Sequence, residues 1–228
     1  MPTRVRFRIK ICGVRRLADL EAAAAAGADA VGLNFYPPSV RYLDPADAAT
    51  ERLAATALAL GLQPIGVFVN EERERILRTA DQLRLAAVQL HGDETLQAAA
   101  SLLDHVAVIR AIRLPTRELT IDQIESRVAP WRSLGVTLLL DADAGAHFGG
   151  EGQRLDWRAI GRWSQACPAE WMLAGGLTPA VVEKALTLAN PVGVDVASGV
   201  ERPKGVKDAQ LIEFFCTAVK NFQPALDQ

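Results

Sequence analysis

With 228 residues, half of them apolar, the chain has the material for one barrel-sized domain or two small ones around a substantial core. A formal charge of −2 gives no reason to expect a polyanion such as nucleic acid as partner, although a small phosphorylated ligand needs only a local site. Cys12, Cys167 and Cys216 are too widely spaced for a disulfide framework or a C-x-x-C metal knuckle, and no run reaches the roughly 18 apolar residues of a membrane span, so a cytoplasmic protein without membrane partners is expected.

The chain opens with alternation. Val5, Phe7 and Ile9 interleave with Arg4, Arg6, Arg8 and Lys10, the pattern of a strand and not of an export signal, which needs a continuous apolar core. From there short apolar runs alternate with longer amphipathic ones. Strands are predicted over 7–12, 30–35, 64–69, 86–90, 107–112, 136–141, 171–174 and 193–197. Helices are predicted between and after them, over 16–26, 45–60, 71–83, 94–103, 121–131, 156–166, 179–189 and 208–222. Asp44-Pro45 and Thr178-Pro179 read as a cap followed by a first-turn proline, and Gly27, Gly61 and Gly135 as C-terminal glycines. Eight strand–helix units without a Gly/Ser-rich linker imply an α/β fold with a parallel sheet: a single (β/α)8 TIM barrel over 1–228. An open doubly wound sheet is the alternative and usually has fewer strands.

Barrel chemistry sits where strands end at the C-terminal face, so reactive residues there carry the functional reading. The first strand ends in Cys12-Gly13. Cys12 is either a small buried hydrophobe or a nucleophile or general base, and Gly13 permits close approach. The sixth ends in Asp141, either a loop cap or ion-pair partner or a general acid. After the second strand, two prolines stiffen a loop carrying Arg41, which is either solvated or a carboxylate or phosphate clamp. Gly175-Gly176 after the seventh strand and Ser198-Gly199 after the eighth suit a phosphate held by backbone N–H groups. A further glycine-rich loop spans 145–152.

Taken together, Lys10-Ile11-Cys12-Gly13, the 35–41 run ending in Arg41, Gly66-Val67-Phe68-Val69-Asn70, Val88-Gln89-Leu90-His91-Gly92-Asp93-Glu94, Leu140-Asp141-Ala142, Leu173-Ala174-Gly175-Gly176-Leu177 and the 193–201 run, followed by Gly205-Val206-Lys207-Asp208, resemble the phosphoribosylanthranilate isomerases of tryptophan biosynthesis. The resemblance covers nearly the whole chain. It implies a cofactor-free Amadori rearrangement with Asp141 as general acid, Cys12 as general base, Arg41 on the anthranilate carboxylate and the glycine-rich turns on the phosphate. It implies a small phosphorylated substrate, and leaves monomer and homodimer open. The chain departs from the family pattern at Arg15 (commonly Thr), Val40 (commonly Pro), Glu151 (commonly Thr), Ala197 (often Ser) and Lys204, which intervenes before the final glycine. Glu151 is the most unexpected of these, a carboxylate in a loop expected near a dianion.

Other readings are weaker. A histidine-pathway sugar-phosphate isomerase typically has two strand-end aspartates and half-barrel repetition, and a Schiff-base aldolase needs a strand ending in Lys. A non-catalytic phosphate-binding barrel rests only on the departures. One contact is also predicted. Lys10 shares a strand face with Cys12, so its charge is expected to lower the thiol's pKa. Asp195 lies between two valines on the neighbouring eighth strand. If those valines pack outward, Lys10 and Asp195 meet inside the barrel as an ion pair, the alternative being that Asp195 binds the substrate's hydroxyls or amine.

Overall fold

Alternation decides which way each strand faces, and closure of the sheet decides what the inward residues meet. The computed structural model describes residues 5–116, 119–142, 155–167 and 169–223. Eight strands close in chain order into a parallel barrel: β1 (Ile9–Cys12), β2 (Ala30–Asn34), β3 (Gln63–Phe68), β4 (Ala87–Leu90), β5 (Val108–Leu114), β6 (Thr137–Ala142), β7 (Trp171–Leu173) and β8 (Gly193–Val196). The helices α1 (Leu17–Ala26), α2 (Ala48–Ala59), α3 (Arg73–Gln82), α4 (Leu96–Ala100), α5 (Ile121–Leu134), α6 (Trp157–Ala166), α7 (Val182–Ala189) and α8 (Ala209–Asn221) follow strands one to eight in turn. No helix among the described residues is long and apolar enough to cross a membrane.

Alternate residues of each strand fall into two apolar clusters. Ile9 and Ile11, Val31 and Leu33, Val88 and Leu90, and Val194 and Val196 join the larger one, packed against the helices together with Trp163 and Phe215. Ala30, Ile65, Ala87, Ile109, Ala111, Leu139 and Met172 form the smaller cluster inside the barrel. The valines flanking Asp195 therefore pack outward as anticipated, and β1 and β8 pair in the register that sets Lys10 opposite Asp195.

Every predicted strand and helix is present, with shifted ends. Neither proline opens a helix. The Asp44 carbonyl accepts from the Asp47 N–H, forming a turn, and the helix starts at Ala48 with the Asp47 side chain capping Ala49. The Thr178 carbonyl likewise accepts from Val181 and Val182, and α7 starts only at Val182. The fourth helix is shorter than predicted, because the Glu94 carboxylate is drawn to the buried Arg110 guanidinium and Thr95 takes the cap. Gly27 and Gly135 end α1 and α5 in the left-handed conformation that glycine adopts without strain.

Candidate active site

Cys12 ends β1 pointing into the barrel. It stands in register with Gly32 of β2, where a Cβ would lie 2.6 Å from its sulfur, so the thiol occupies space that only glycine leaves. Below it, Lys10 is wholly buried, and its Nζ donates to Asp195 Oδ1 at 3.0 Å. This is the predicted ion pair. Burial works against the Lys10 charge, but Asp195 and Cys12 beside it outweigh that and raise its pKa, so Lys10 is a fixed ammonium. The expected lowering of the thiol's pKa does not result. Burial pushes the Cys12 thiol up, Asp195 adds to this, and the charges of Lys10 and Lys207 offset it only in part.

Asp141, next to last in β6, also points inward and is buried. Its Oδ1 accepts from the Ala142 N–H at 2.8 Å and its Oδ2 lies 3.1 Å from His91 Nε2. Gly175 presses against it, since a Cβ there would fall 2.9 Å from Oδ1. His91 belongs to the 88–94 motif, where no task is expected of it. Counting by twos along β4 places Gln89 and His91 on the inward face, and that signal was available.

Arg41 is buried, not solvated. Its stem crosses Gly13, where a Cβ would fall 2.2 Å from Arg41 Cδ. Its Nε and Nη2 donate to the two oxygens of Glu201 at 2.6 and 2.7 Å. Glu201 also accepts from Lys207 Nζ and the Gly205 N–H, each at 2.8 Å. Burial alone would raise the Glu201 carboxyl, but Arg41, Lys207 and Gly205 together pull it down to about 2. Glu201 and Lys207 thus anchor the arginine, a role the sequence did not reveal because 160 residues separate Arg41 from its carboxylate. Both Arg41 and Lys207 feel the charge of Cys12.

The turns after β7 and β8 lie back to back. Gly175 and Gly176 both have positive φ, at 80° and 65°, and a Cβ on Gly199 would lie 1.8 Å from the Leu177 carbonyl oxygen. Ser198 and Gly199 belong to a short 3-10 turn, Ser198–Val200, and all four residues are half-buried. Two departures from the family pattern touch: Arg15 Nη1 donates to the Val40 carbonyl at 2.9 Å, tying the loop after β1 to the loop that carries Arg41. A third, Ala197, accepts from Lys207 Nζ through its backbone carbonyl. The glycine-rich 145–152 loop, Glu151 included, lies outside the described residues. Among the described residues no cluster of three or more His, Cys, Asp or Glu is placed to hold a metal ion.

The site thus sets a thiol and a carboxyl at the ends of β1 and β6, three staves apart round the barrel, with a buried arginine and two abutting glycine turns at the same mouth. Residues 9–218 match the family model for N-(5′-phosphoribosyl)anthranilate (PRA) isomerase. The N-(5′-phosphoribosyl)anthranilate isomerase of Myxococcus xanthus is 43% identical over 215 residues, covering 94% of this chain and 96% of that protein. The Thermotoga maritima enzyme is 37% identical over 213 residues, 93% of this chain and 98% of that protein. The crystal structure of phosphoribosylanthranilate isomerase from T. maritima superposes with a TM-score of 0.82 at 34% identity, covering 94% of this chain and 99% of that one. A phosphoribosylanthranilate isomerase in complex with reduced 1-(o-carboxyphenylamino)-1-deoxyribulose 5-phosphate gives a TM-score of 0.79 at 34% identity, with the same coverage.

Proposed function

The chain belongs to the N-(5′-phosphoribosyl)anthranilate isomerase family, and from that premise we propose that it converts N-(5′-phosphoribosyl)anthranilate into 1-(2-carboxyphenylamino)-1-deoxyribulose 5-phosphate, an Amadori rearrangement of tryptophan biosynthesis. The observation that carries the reading is the inward placement of Cys12 and Asp141 at one barrel mouth, beside Arg41. Asp141 protonates the ribose ring oxygen, the bond from that oxygen to C1 breaks, and C1 becomes a protonated Schiff base. Cys12, as thiolate, takes the C2 proton and leaves an enolamine. Loss of the C2 hydroxyl proton and gain of a proton at C1 give the ketone. C2 is oxidised as C1 is reduced, so no external oxidant or reductant enters and no cofactor is required.

The surroundings fit these tasks. The cations Lys10, Lys207 and Arg41 feel the Cys12 charge and stabilise the thiolate when it forms. Glu201 occupies Nε and Nη2 of Arg41, so the clamp on the anthranilate carboxylate falls to the remaining guanidinium edge. Gly175, Gly176, Ser198 and Gly199 hold the phosphate, and Asp195, with one oxygen on Lys10, offers the other to a substrate hydroxyl. The substrate is a small phosphorylated molecule, and the protein acts in the cytoplasm as a monomer or homodimer, without nucleic acid or membrane. Loss of phosphoribosylanthranilate fluorescence on mixing tests the reading. The expected result is turnover that falls on the order of 10²-fold or more in Cys12→Ala and in Asp141→Asn, the size of a general acid or base contribution. An inactive native protein, or near-native turnover in either variant, would overturn it.

A further inference from the structure

One hydrogen-bonded line runs across the barrel interior from Lys10, which adjoins Cys12, to Asp141. Lys10 Nζ, already paired with Asp195, also donates to Gln89 Oε1 at 2.9 Å. Gln89 Nε2 lies 2.8 Å from His91 Nδ1, and His91 Nε2 faces Asp141 Oδ2. Lys10 and Gln89 have no solvent exposure.

The direction of every bond in this line follows from the ammonium at its start. An ammonium has three donors and no acceptor, so the amide oxygen of Gln89 must face it. The amide NH2 then faces His91 Nδ1, and because it can only donate, Nδ1 must carry a lone pair. A neutral imidazole so held bears its proton on Nε2, the nitrogen turned toward Asp141. Turning the Gln89 amide over sets NH2 against ammonium, and protonating Nδ1 sets N–H against NH2. Either choice leaves a buried donor without an acceptor.

We propose that Gln89 is a positioning residue for the general acid. It carries the fixed polarity of Lys10 to His91, locks His91 as the Nε2–H tautomer, and keeps one N–H aimed at Asp141 Oδ2. With Oδ1 held by the Ala142 N–H, the carboxyl is then fixed at both oxygens and the proton it delivers leaves in a set direction. Lys10, which adjoins Cys12, thereby orients the acid as well as the base. The positioning role rests on reading Asp141 as the acid, whereas the tautomer does not.

The test is an imidazole 15N–1H spectrum of the full chain at neutral pH, with His91 identified by its loss in His91→Gln. The expected wild-type spectrum shows His91 Nδ1 unprotonated and Nε2 protonated. Gln89→Glu keeps an acceptor for Lys10 but turns the donor at Nδ1 into an acceptor, so Nδ1 should gain a proton. Gln89→Met keeps the shape and removes the lock, so the tautomers should mix. Both variants should lose roughly 10- to 100-fold in kcat, the worth of one hydrogen bond to a charged group. KM should move less than about threefold, because the loss falls in the transition state. His91→Gln, whose amide can still reach Asp141, should retain more activity than His91→Ala. A wild-type His91 protonated at Nδ1 overturns the proposal, as does a Gln89→Met protein with native tautomer and native kcat. A tautomer that shifts while kcat does not would overturn the positioning role. If Gln89→Met does not fold, the wild-type and Gln89→Glu spectra decide. Native activity in Asp141→Asn would remove the acid assignment, and the positioning role with it, and leave the tautomer lock standing.

Discussion

Replacing Glu201 with Gln removes the anion that holds Arg41 beside Cys12. The carboxylate is 1% exposed and takes hydrogen bonds from Arg41 Nε, Arg41 Nη2, Lys207 Nζ and the Gly205 N–H, all donors. An amide presents a donor of its own at one end, so at least one of these contacts becomes donor against donor, and two buried cations lose their counter-charge. Breaking a buried pair in this way costs about 3–5 kcal/mol. The depressed pKa of the carboxyl gives a second figure. Holding the carboxyl at about 2 against its ordinary 4.5 is worth about 3 kcal/mol, at about 1.4 kcal/mol per pH unit. Because the folded value is the lower one, this stability is complete above about pH 4.5 and is lost as the pH falls through about 2. Urea unfolding of both proteins from neutral pH down through that window is the assay. The Glu201→Gln protein should be less stable by about 3 kcal/mol at neutral pH, and the gap should narrow as the wild-type carboxyl is protonated. A gap under about 1 kcal/mol at neutral pH, the size of an exposed pair, or one that does not change with pH, would refute the reasoning.

Further outcomes are expected at the mouth of the barrel. Cys12→Ala and Asp141→Asn should each lower kcat far more than they raise KM, read from fluorescence progress curves, since each removes a group used in the transition state. Arg41→Ala should weaken binding of substrates bearing the anthranilate carboxylate and leave an analogue without it nearly unaffected; equal losses in competition assays would mean that Arg41 only supports its loop. Burial raises the Cys12 thiol, so its alkylation by iodoacetamide, followed by mass spectrometry, should lag a free thiol at pH 7 and accelerate toward alkaline pH as the thiolate forms. Alkylation faster than a free thiol at pH 7 would contradict this.

The fold was legible because its rule is local. Period-two alternation in β1 and β8, with closure of an eight-stranded sheet, was enough to set Lys10 against Asp195. Helix starts were less legible. Asp44-Pro45 and Thr178-Pro179 carry the chemistry of a first helical turn, but in both places a turn precedes the helix. Cys12, Asp141 and Arg41 stood out because each is an unusual residue at a strand end or in a stiffened loop. What surrounds them did not, because it depends on contacts distant in sequence. The anchoring of Arg41 by Glu201 and Lys207 passes over β1, from the loop after β2 to the segment after β8, and no spacing encodes it. The thiol's pKa was misjudged for a related reason. Lys10 could be placed beside it, but the extent of burial that outweighs that charge is a property of the closed barrel.

The line from Asp195 to Asp141 also bears on how such a barrel can be divided. Lys10, Gln89 and His91 belong to β1, β4 and the residue after it, whereas Asp141 and Asp195 belong to β6 and β8. Cut between β4 and β5, the first half would keep the ammonium, the amide and the imidazole, and the second both carboxylates. Each half would then carry interior polar groups whose counterparts lie on the other, so the two half-barrels are not interchangeable modules. Along this line the two halves are complementary in charge, and the line from Lys10 to Asp141 is complete only when they are joined.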